Sequence, residues 1–272
     1  MAAALIRIFS DIHFGDRSSQ VHSLAQLRPL ADGATTIILN GDTVDTRPSP
    51  DPDFSARCRA EVTDFFAHFG PPVQLVTGNH DPDISADHAV DLAGGQVFVI
   101  HGDLVFDEMV PWAADAAVIG ERVRRRLGPA ADRGPLEAQL TAFRAVAATI
   151  PQRHQSERNG WKYLAGLAQD VVWPPWRVTR IARAWWVYPG RIRALAQIHR
   201  PAVRFVLTGH THLPGIWRRA GGPVVINTGS YCLPIGGYAA DLTASALTIR
   251  RVRRKAGEFR IGEVIAQFPL SA

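Results

Sequence analysis

Cysteine is scarce in this 272-residue chain: Cys58 and Cys232 are the only two. They allow at most one disulfide, exclude a zinc site built from several thiolates, and suit a reducing compartment. Long apolar runs are missing as well, since no stretch approaches the roughly 20 residues needed to cross a bilayer. The opening segment Met1–Phe9 lacks the length of a secretory signal and runs directly into a polar motif. These absences predict a cytoplasmic protein. Repeats and low-complexity tracts are also absent. With 46% hydrophobic residues the chain can bury a full-sized core, as one large domain or as one domain carrying an insert.

Charge is unevenly placed. The net +5 resolves into residues 104–200, with 15 Lys/Arg against 8 Asp/Glu, and a remainder with 15 against 17. Six of the seven tryptophans, Trp112, Trp161, Trp173, Trp176, Trp185 and Trp186, fall in the same basic middle. Basic charge mixed with aromatics suits anionic ligands with apolar parts, acidic membrane surfaces or nucleic acid. Arginines placed on the exposed faces of helices would give the same composition.

Before residue 104 apolar strand-like runs alternate with amphipathic segments. Strands are predicted at Leu5–Phe9, Thr35–Leu39, Pro72–Thr77 and Gln96–Ile100. Helices are predicted at Ser19–Leu30, with Val21, Leu24, Leu27 and Leu30 on one face, and from Phe54 to Phe69, with Phe54, Cys58, Val62, Phe65 and Phe69 inward. A helical turn is expected at Ala86–Leu92. The middle reads as helices near 111–127, 135–149, 156–170 and 176–198, the last interrupted at Pro189-Gly190. Strands return at Ala202–Thr208, Val224–Ile226, Ala246–Ile249 and Val264–Phe268, with a solvated basic rim at 250–255.

Each strand before the insert, and the first after it, ends in a polar cluster: Asp11 and His13; Asp42 and Asp45; Asn79, His80 and Asp81; His101 and Asp103; His210 and His212. One such cluster is ordinary turn chemistry. Five of them, each past an apolar strand, point to the carboxyl edge of an open α/β sheet, where ligands bind. Imidazole, carboxylate and amide oxygen without thiolate suit Mn, Fe, Zn or Mg. The donors outnumber the needs of one ion, and a carboxylate such as Asp42 can bridge two ions about 3.5–4 Å apart. On an extended segment, Asp-x-His and His-x-His would present both side chains to one side.

Asp11-x-His13, Gly41-Asp42-x-x-Asp45, Gly78-Asn79-His80-Asp81, His101-Gly102-Asp103 and Gly209-His210-x-His212 together resemble the motif series of the calcineurin-like metallophosphoesterases, in the family's order. The resemblance implies a four-layered α/β/β/α sandwich over residues 1–272, with 104–200 as a helical, lid-like insert. It assigns Asp11, His13 and His212 to one divalent ion and Asn79, His101 and His210 to a second, with Asp42 bridging and Mn foremost among the candidate metals. The expected chemistry is phosphoester hydrolysis by a hydroxide shared between the two ions. His80 is the expected proton donor to the leaving oxygen, oriented by Asp45, which would favour its imidazolium. Asp81 and Asp103 are expected to fix turns, and Asn227-Thr228-Gly229-Ser230 resembles the loop that closes the site.

The insert speaks to substrate. Its position and composition resemble the lid of the UDP-2,3-diacylglucosamine hydrolases, and Gly209-His210-Thr211-His212-Leu213-Pro214 resembles their motif. Those enzymes commonly carry Arg where this chain has His80, and they lack the Asn-x-Gly-Ser loop. Phosphoprotein phosphatases place Arg directly after the second Asp of Gly-Asp-x-x-Asp, whereas here Thr46 intervenes before Arg47. The expectation is a phosphodiester or pyrophosphate bond in a phosphorylated small-molecule or lipid-nucleotide substrate. Arginines of the 177–193 region would lie near its anionic group, and the basic, Trp-rich insert would touch the inner face of the membrane. Nucleic acid, a phosphomonoester or phosphoprotein substrate, and a non-catalytic scaffold on the same fold are the alternatives.

Overall fold

The computed structural model describes residues 4–129, 133–152, 161, 165, 174–232 and 236–270. The expected helix at 156–170 lies outside the described residues, apart from the helical positions Trp161 and Ala165.

Two mixed sheets face each other. The first has strand order β11-β10-β9-β1-β2-β3. Its central strands β1 (Ile6–Phe9), β2 (Thr36–Asn40) and β3 (Val73–Val76) are parallel. β9 (Tyr238–Leu242), β10 (Ala246–Lys255) and β11 (Glu258–Pro269) add an antiparallel meander on the β1 side. The second sheet runs β4-β5-β6-β8-β7. There β5 (Val97–Ile100), β6 (Phe205–Thr208) and β8 (Val224–Asn227) are parallel, and β4 (Ala89–Leu92) and β7 (Gly215–Trp217) are antiparallel edges.

Alternation along the strands decides which layer each side chain joins. Ile8, Ile38, Val97, Val99, Leu207 and Ile226 fill the space between the sheets. Phe9, Ile37 and Leu39 point outward from the first sheet onto α1 (Pro52–Ala67) and a 3₁₀ helix at Leu24–Ala31. Phe98, Ile100, Val206 and Val225 point outward from the second sheet onto α2 (Ala116–Leu127), α3 (Leu136–Ala147) and α4 (Trp176–His199). The helices of the 104–200 insert therefore form the fourth layer, and the α/β/β/α sandwich expected from sequence is the observed fold.

Besides β7 and β9, which were not expected, and the expected rim at 250–255, which continues β10, three elements differ in kind. The segment read as an α-helix at 19–30 is 3₁₀ over Leu24–Ala31 with Pro29 inside it. Leu24, Leu27 and Leu30 recur every three residues, a spacing that lines up on a 3₁₀ helix. The turn expected at 86–92 is instead β4, joined to β5 through Ala93-Gly94-Gly95, all at positive φ. Glycine pairs favour such a hairpin reversal. Last, α4 runs unbroken through Pro189. Tyr188, Pro189, Ile192 and Ala196 are buried there, and this packing outweighs the hydrogen bond proline cannot make.

Candidate metal centre

The carboxyl ends of both parallel strand sets open on the same edge, and short polar contacts tie them together. The Asn40 amide, at the end of β2, donates across the sandwich to the carbonyls of Ile100 (3.0 Å) and Leu207 (3.3 Å). Backbone N–H groups of Asp11 and His13 donate to Gly41 and Asp42 carbonyls, Gly209 N–H to His101, and Tyr231 N–H to Asp11, all between 2.9 and 3.0 Å. Asp81 accepts the N–H groups of Asp42 (2.9 Å), Thr43 (2.7 Å) and Gly78 (2.6 Å), so it is the turn-fixing group expected.

Asp11, His13, Asp42, His210 and His212 all have φ between 50 and 71°. Alternating side chains on extended backbone therefore do not explain the paired motifs. Left-handed conformations, which Asp and His tolerate better than most residues, turn each pair inward. Such strain is maintained where surrounding contacts over-determine it. Gly78 and Gly209 allow the close approach, because a Cβ on either would collide with the carboxylate of Asp42 or Asp11 respectively.

The donors gather into two sets. In the first, the Nε2 atoms of His13 and His212 are 3.0 Å apart and lie 3.9 and 3.3 Å from Asp11 Oδ1. In the second, Asn79 Oδ1 lies 2.9 Å from His210 Nδ1 and 3.3 Å from His101 Nε2. Between them Asp42 Oδ2 stands 3.7 Å from His13 Nε2 and 3.2 Å from His101 Nε2. The ring tautomers are set from outside. His101 Nδ1–H donates to the Asn40 carbonyl (3.0 Å) and His210 Nε2–H to the Met109 carbonyl (2.9 Å), so the inward nitrogens are the ones that offer a lone pair to a metal once deprotonated.

Charge supports the same arrangement. Burial alone would keep His101 neutral, but Asp42 beside it pushes the imidazole up to about 10. His13 rises to about 9 because Asp11 and Asp42 overcome its burial. Both carboxylates stay below their ordinary range despite burial, held by these histidines. Burial and the positive His101 lower His210 to about 4. Neighbouring carboxylates thus favour positive charge at His13 and at His101, one in each donor set, where a divalent ion would take the place of a proton. The expected residues Asp11, His13, Asp42, Asn79, His101, His210 and His212 all lie in this cluster. Asp42, His101 and His210 sit close enough together for their donor atoms to share an ion, as do His13 and Asp42 with His80, and His13 and His212 with Cys232.

His80 borders the cluster, its ring edge-on to that of His13 with centroids 4.9 Å apart. Its Nδ1–H donates to Asp45 Oδ2 (2.8 Å), and its N–H to Asp42 Oδ1 (2.8 Å). Asp45 favours the imidazolium as expected, but its pull is outweighed. Arg47 grips the same carboxylate and places Nη2 2.8 Å from His80 Nδ1. Burial and Arg47 together lower His80 below its ordinary value against the pull of Asp42 and Asp45.

The insert reaches this edge at points the sequence did not reveal. Tyr188 places its hydroxyl 3.1 Å from the Gly209 carbonyl and 3.3 Å from that of His101, bridging the two ligand loops. Trp185 donates its indole N–H to the Thr211 carbonyl (3.0 Å). Arg144 makes two hydrogen bonds with Asp103 (2.6 and 2.8 Å) and donates to Thr77 Oγ1 (3.0 Å). Arg193 instead donates to the carbonyls of Pro223 and Trp217, beside the start of β8, away from the ligand loops that Trp185 and Tyr188 touch. Cys232 is the remaining newcomer: burial pushes its thiol up to about 12, opposed by the Ser18 hydroxyl and aided by Asp16, Asp11 and Asp42.

The fold thus brings candidate metal ligands from both sheets together at one edge of the sandwich. The calcineurin-like phosphoesterase profile matches residues 4–214, and the chain belongs to that family. No curated protein matches it in sequence. Among solved structures it is similar to a dimetal phosphatase from Danio rerio, at 11% identity and TM-score 0.47, covering 92% of this chain and 96% of that one. Vacuolar Protein Sorting 29 from Cryptosporidium parvum is similar at 11% identity and TM-score 0.43 over 100% of both chains. A cold-active protein tyrosine phosphatase is similar at 16% identity and TM-score 0.42, over 95% of this chain and 78% of that one. No helix among the described residues is long and apolar enough to cross a membrane.

Proposed function

We propose that the protein is a two-metal phosphoesterase that cuts a phosphodiester or pyrophosphate bond in an anionic, partly apolar substrate. The observation that carries this reading is Asp42 Oδ2 placed between two sets of lone-pair donors. Asp11, His13 and His212 would hold one divalent ion and Asn79, His101 and His210 the other, with Asp42 shared and Mn the first candidate. Bound there, the ions would lower the pKa of water and neutralise phosphoryl charge. His80, its Nδ1–H committed to Asp45, has Nε2 to handle the proton of the leaving oxygen. Arg47 keeps Asp45 ionised and in place.

The substrate class rests on the insert. A groove of about 340 Å³ between α2 and α4 is lined by Phe106, Pro111 and Val187 and by Arg180, Arg183 and Arg191. It lies beside the metal edge rather than over it, linked through Phe106, whose ring stacks on that of Tyr188. Apolar walls with guanidinium groups suit a lipid-nucleotide or similar conjugate, and arginine forks bind phosphate oxygens in pairs. In this reading residues 104–200 cover the substrate while their helices brace the second sheet.

The test is turnover by Mn-loaded protein of an aryl phosphomonoester, an aryl phosphodiester and nucleoside-diphosphate conjugates with and without acyl chains. Chelator-sensitive hydrolysis of the diester or pyrophosphate classes is expected. The Arg180→Ala/Arg183→Ala pair should raise KM for acylated conjugates and spare the small aryl diester. Exclusive monoester turnover would overturn the bond assignment, and metal-loaded protein inert toward every class would overturn the enzyme reading.

A further inference from the structure

Resting on the two-metal reading above, we propose that the Cys232 thiolate is a further ligand of the ion held by Asp11, His13 and His212. This ligand would make the site prefer a softer metal, zinc or ferrous iron, to manganese.

Cys232 Sγ and one ring nitrogen each from His13 and His212 all lie within 4.8 Å of one another. With Asp11 and the shared Asp42 this ion would have five protein donors, and donors at right angles on one ion, with bonds of about 2.3 Å to sulfur and 2.0–2.1 Å to nitrogen, stand about 3.1 Å apart. Small side-chain rotations close the difference. The cysteine is also held in place. Tyr231 N–H donates to the Asp11 carbonyl (3.0 Å), Gln20 N–H to the Tyr231 carbonyl (2.9 Å), and Ser19 pairs with Cys232 in an isolated bridge. The segment bearing the sulfur is thereby stitched to the loop bearing Asp11 and His13.

The two cysteines differ in their surroundings. Cys58 packs in the apolar cluster between α1 and the first sheet, where a thiol serves as a small hydrophobic group. Cys232 is only 4% exposed yet belongs to none of the three apolar clusters. Its sulfur accepts a hydrogen bond from the Ser18 hydroxyl (3.3 Å), the contact that steadies a metal-bound thiolate. Neither cysteine is in a disulfide. On ligation the S–H bond breaks, sulfur donates its electron pair to the cation, and the proton leaves to solvent. In the second donor set, amide oxygen, imidazole and carboxylate stand without sulfur. The pair of sites is therefore chemically unequal. Soft thiolates select zinc or iron over manganese.

The experiment loads the full metal-free chain with Co(II) alone and reads cobalt per chain together with the near-ultraviolet spectrum. Two ions and a thiolate-to-cobalt charge-transfer band are expected in the wild type and in Cys58→Ser. Cys232→Ser and Cys232→Ala should lose the band while retaining visible cobalt bands, and their zinc-over-manganese preference should fall by roughly 10- to 100-fold or more, the cost of losing even a group that only hydrogen-bonds a ligand. Two bound cobalt ions without the band, or a band that survives Cys232→Ser, would overturn the thiolate and leave the two-metal reading standing. A chain that binds no cobalt would overturn both. Should the variants not fold, cadmium NMR of the wild type decides: one resonance shifted downfield by sulfur supports the proposal, and two in the nitrogen-oxygen range refute it.

Discussion

Replacing Arg144 by methionine tests how the insert is anchored. The guanidinium reaches the second sheet from α3, with its side chain 4% exposed and that of Asp103 fully buried. It makes two hydrogen bonds with Asp103 and a third with Thr77, whose hydroxyl keeps a second partner in His88 Nδ1 (2.8 Å). Losing the Thr77 contact therefore costs little, and the destabilisation comes from the carboxylate left buried without a counter-charge. Breaking one side of such a pair costs about 3–5 kcal/mol.

The pH dependence has a definite sign. In the wild type, burial tends to raise Asp103 but Arg144 holds it below its ordinary value. That contribution is present above the unfolded carboxylate pKa of about 3.9 and is lost as pH falls through the folded value. Without Arg144, burial, the largest influence, is opposed only by His101 and His210, and the folded pKa is expected to lie above the unfolded one. The penalty then grows as pH rises past about 4, so urea unfolding of chelator-treated protein should show a larger loss at pH 8 than at pH 5. Arg144→Met/Asp103→Leu should recover most of the stability, since replacing both partners with apolar groups is often neutral. A single variant that loses less than about 1 kcal/mol, the range of an exposed pair, would refute the argument. So would a double variant no more stable than the single.

Asp42→Ala should remove both ions, read by elemental analysis, because each donor set uses that carboxylate. His80→Ala should keep its metal and lose roughly two to four orders of magnitude in turnover, the range for general acid–base catalysis; the reverse pattern would exchange the two roles. Arg47→Ala frees Asp45 to act on His80 alone, so the imidazole pKa followed by NMR should move up from its lowered position. Gly209→Ala forces a methyl group onto Asp11 and should weaken metal binding at its site before it measurably changes the far-ultraviolet spectrum.

The site was legible because its residues occur in polar bursts after strands, and strands of one sheet share an edge. All seven expected ligands converge for that reason. What the bursts could not show was backbone conformation: the left-handed φ values of Asp11 and His13 accompany hydrogen bonds to a loop distant in sequence, and that of His210 a hydrogen bond from its N–H to Asp11. Distance in sequence also hid Arg144, 41 positions from Asp103, and Tyr188, 87 positions from His101. Met109 acts through its carbonyl, which every residue possesses, so its side chain gave no signal. β7 and β9 were missed because Gly215–Trp217 is three residues long and the five-residue Tyr238–Leu242 carries Asp241 one position from its end. That aspartate is buried against Arg7, a pairing across 234 positions that local pattern does not reveal.

β5 and β6 lie side by side in parallel register, Val97 opposite Phe205, although roughly a hundred residues separate them in the chain. Closing a longer excursion between fixed ends costs only about 0.6 kcal/mol per doubling of length. The strand pair is consequently a socket into which segments of very different size can be fitted while His101 and His210 keep their positions. The socket is not neutral, however. It presents the fully buried Asp103 just past β5 and a bare apolar face made by Phe98, Ile100, Val206 and Val225. Any transplanted segment must bring a cation to the first and a hydrophobic cover to the second. Cutting the native segment out leaves both wants unmet, which makes excision a test of folding rather than of substrate choice.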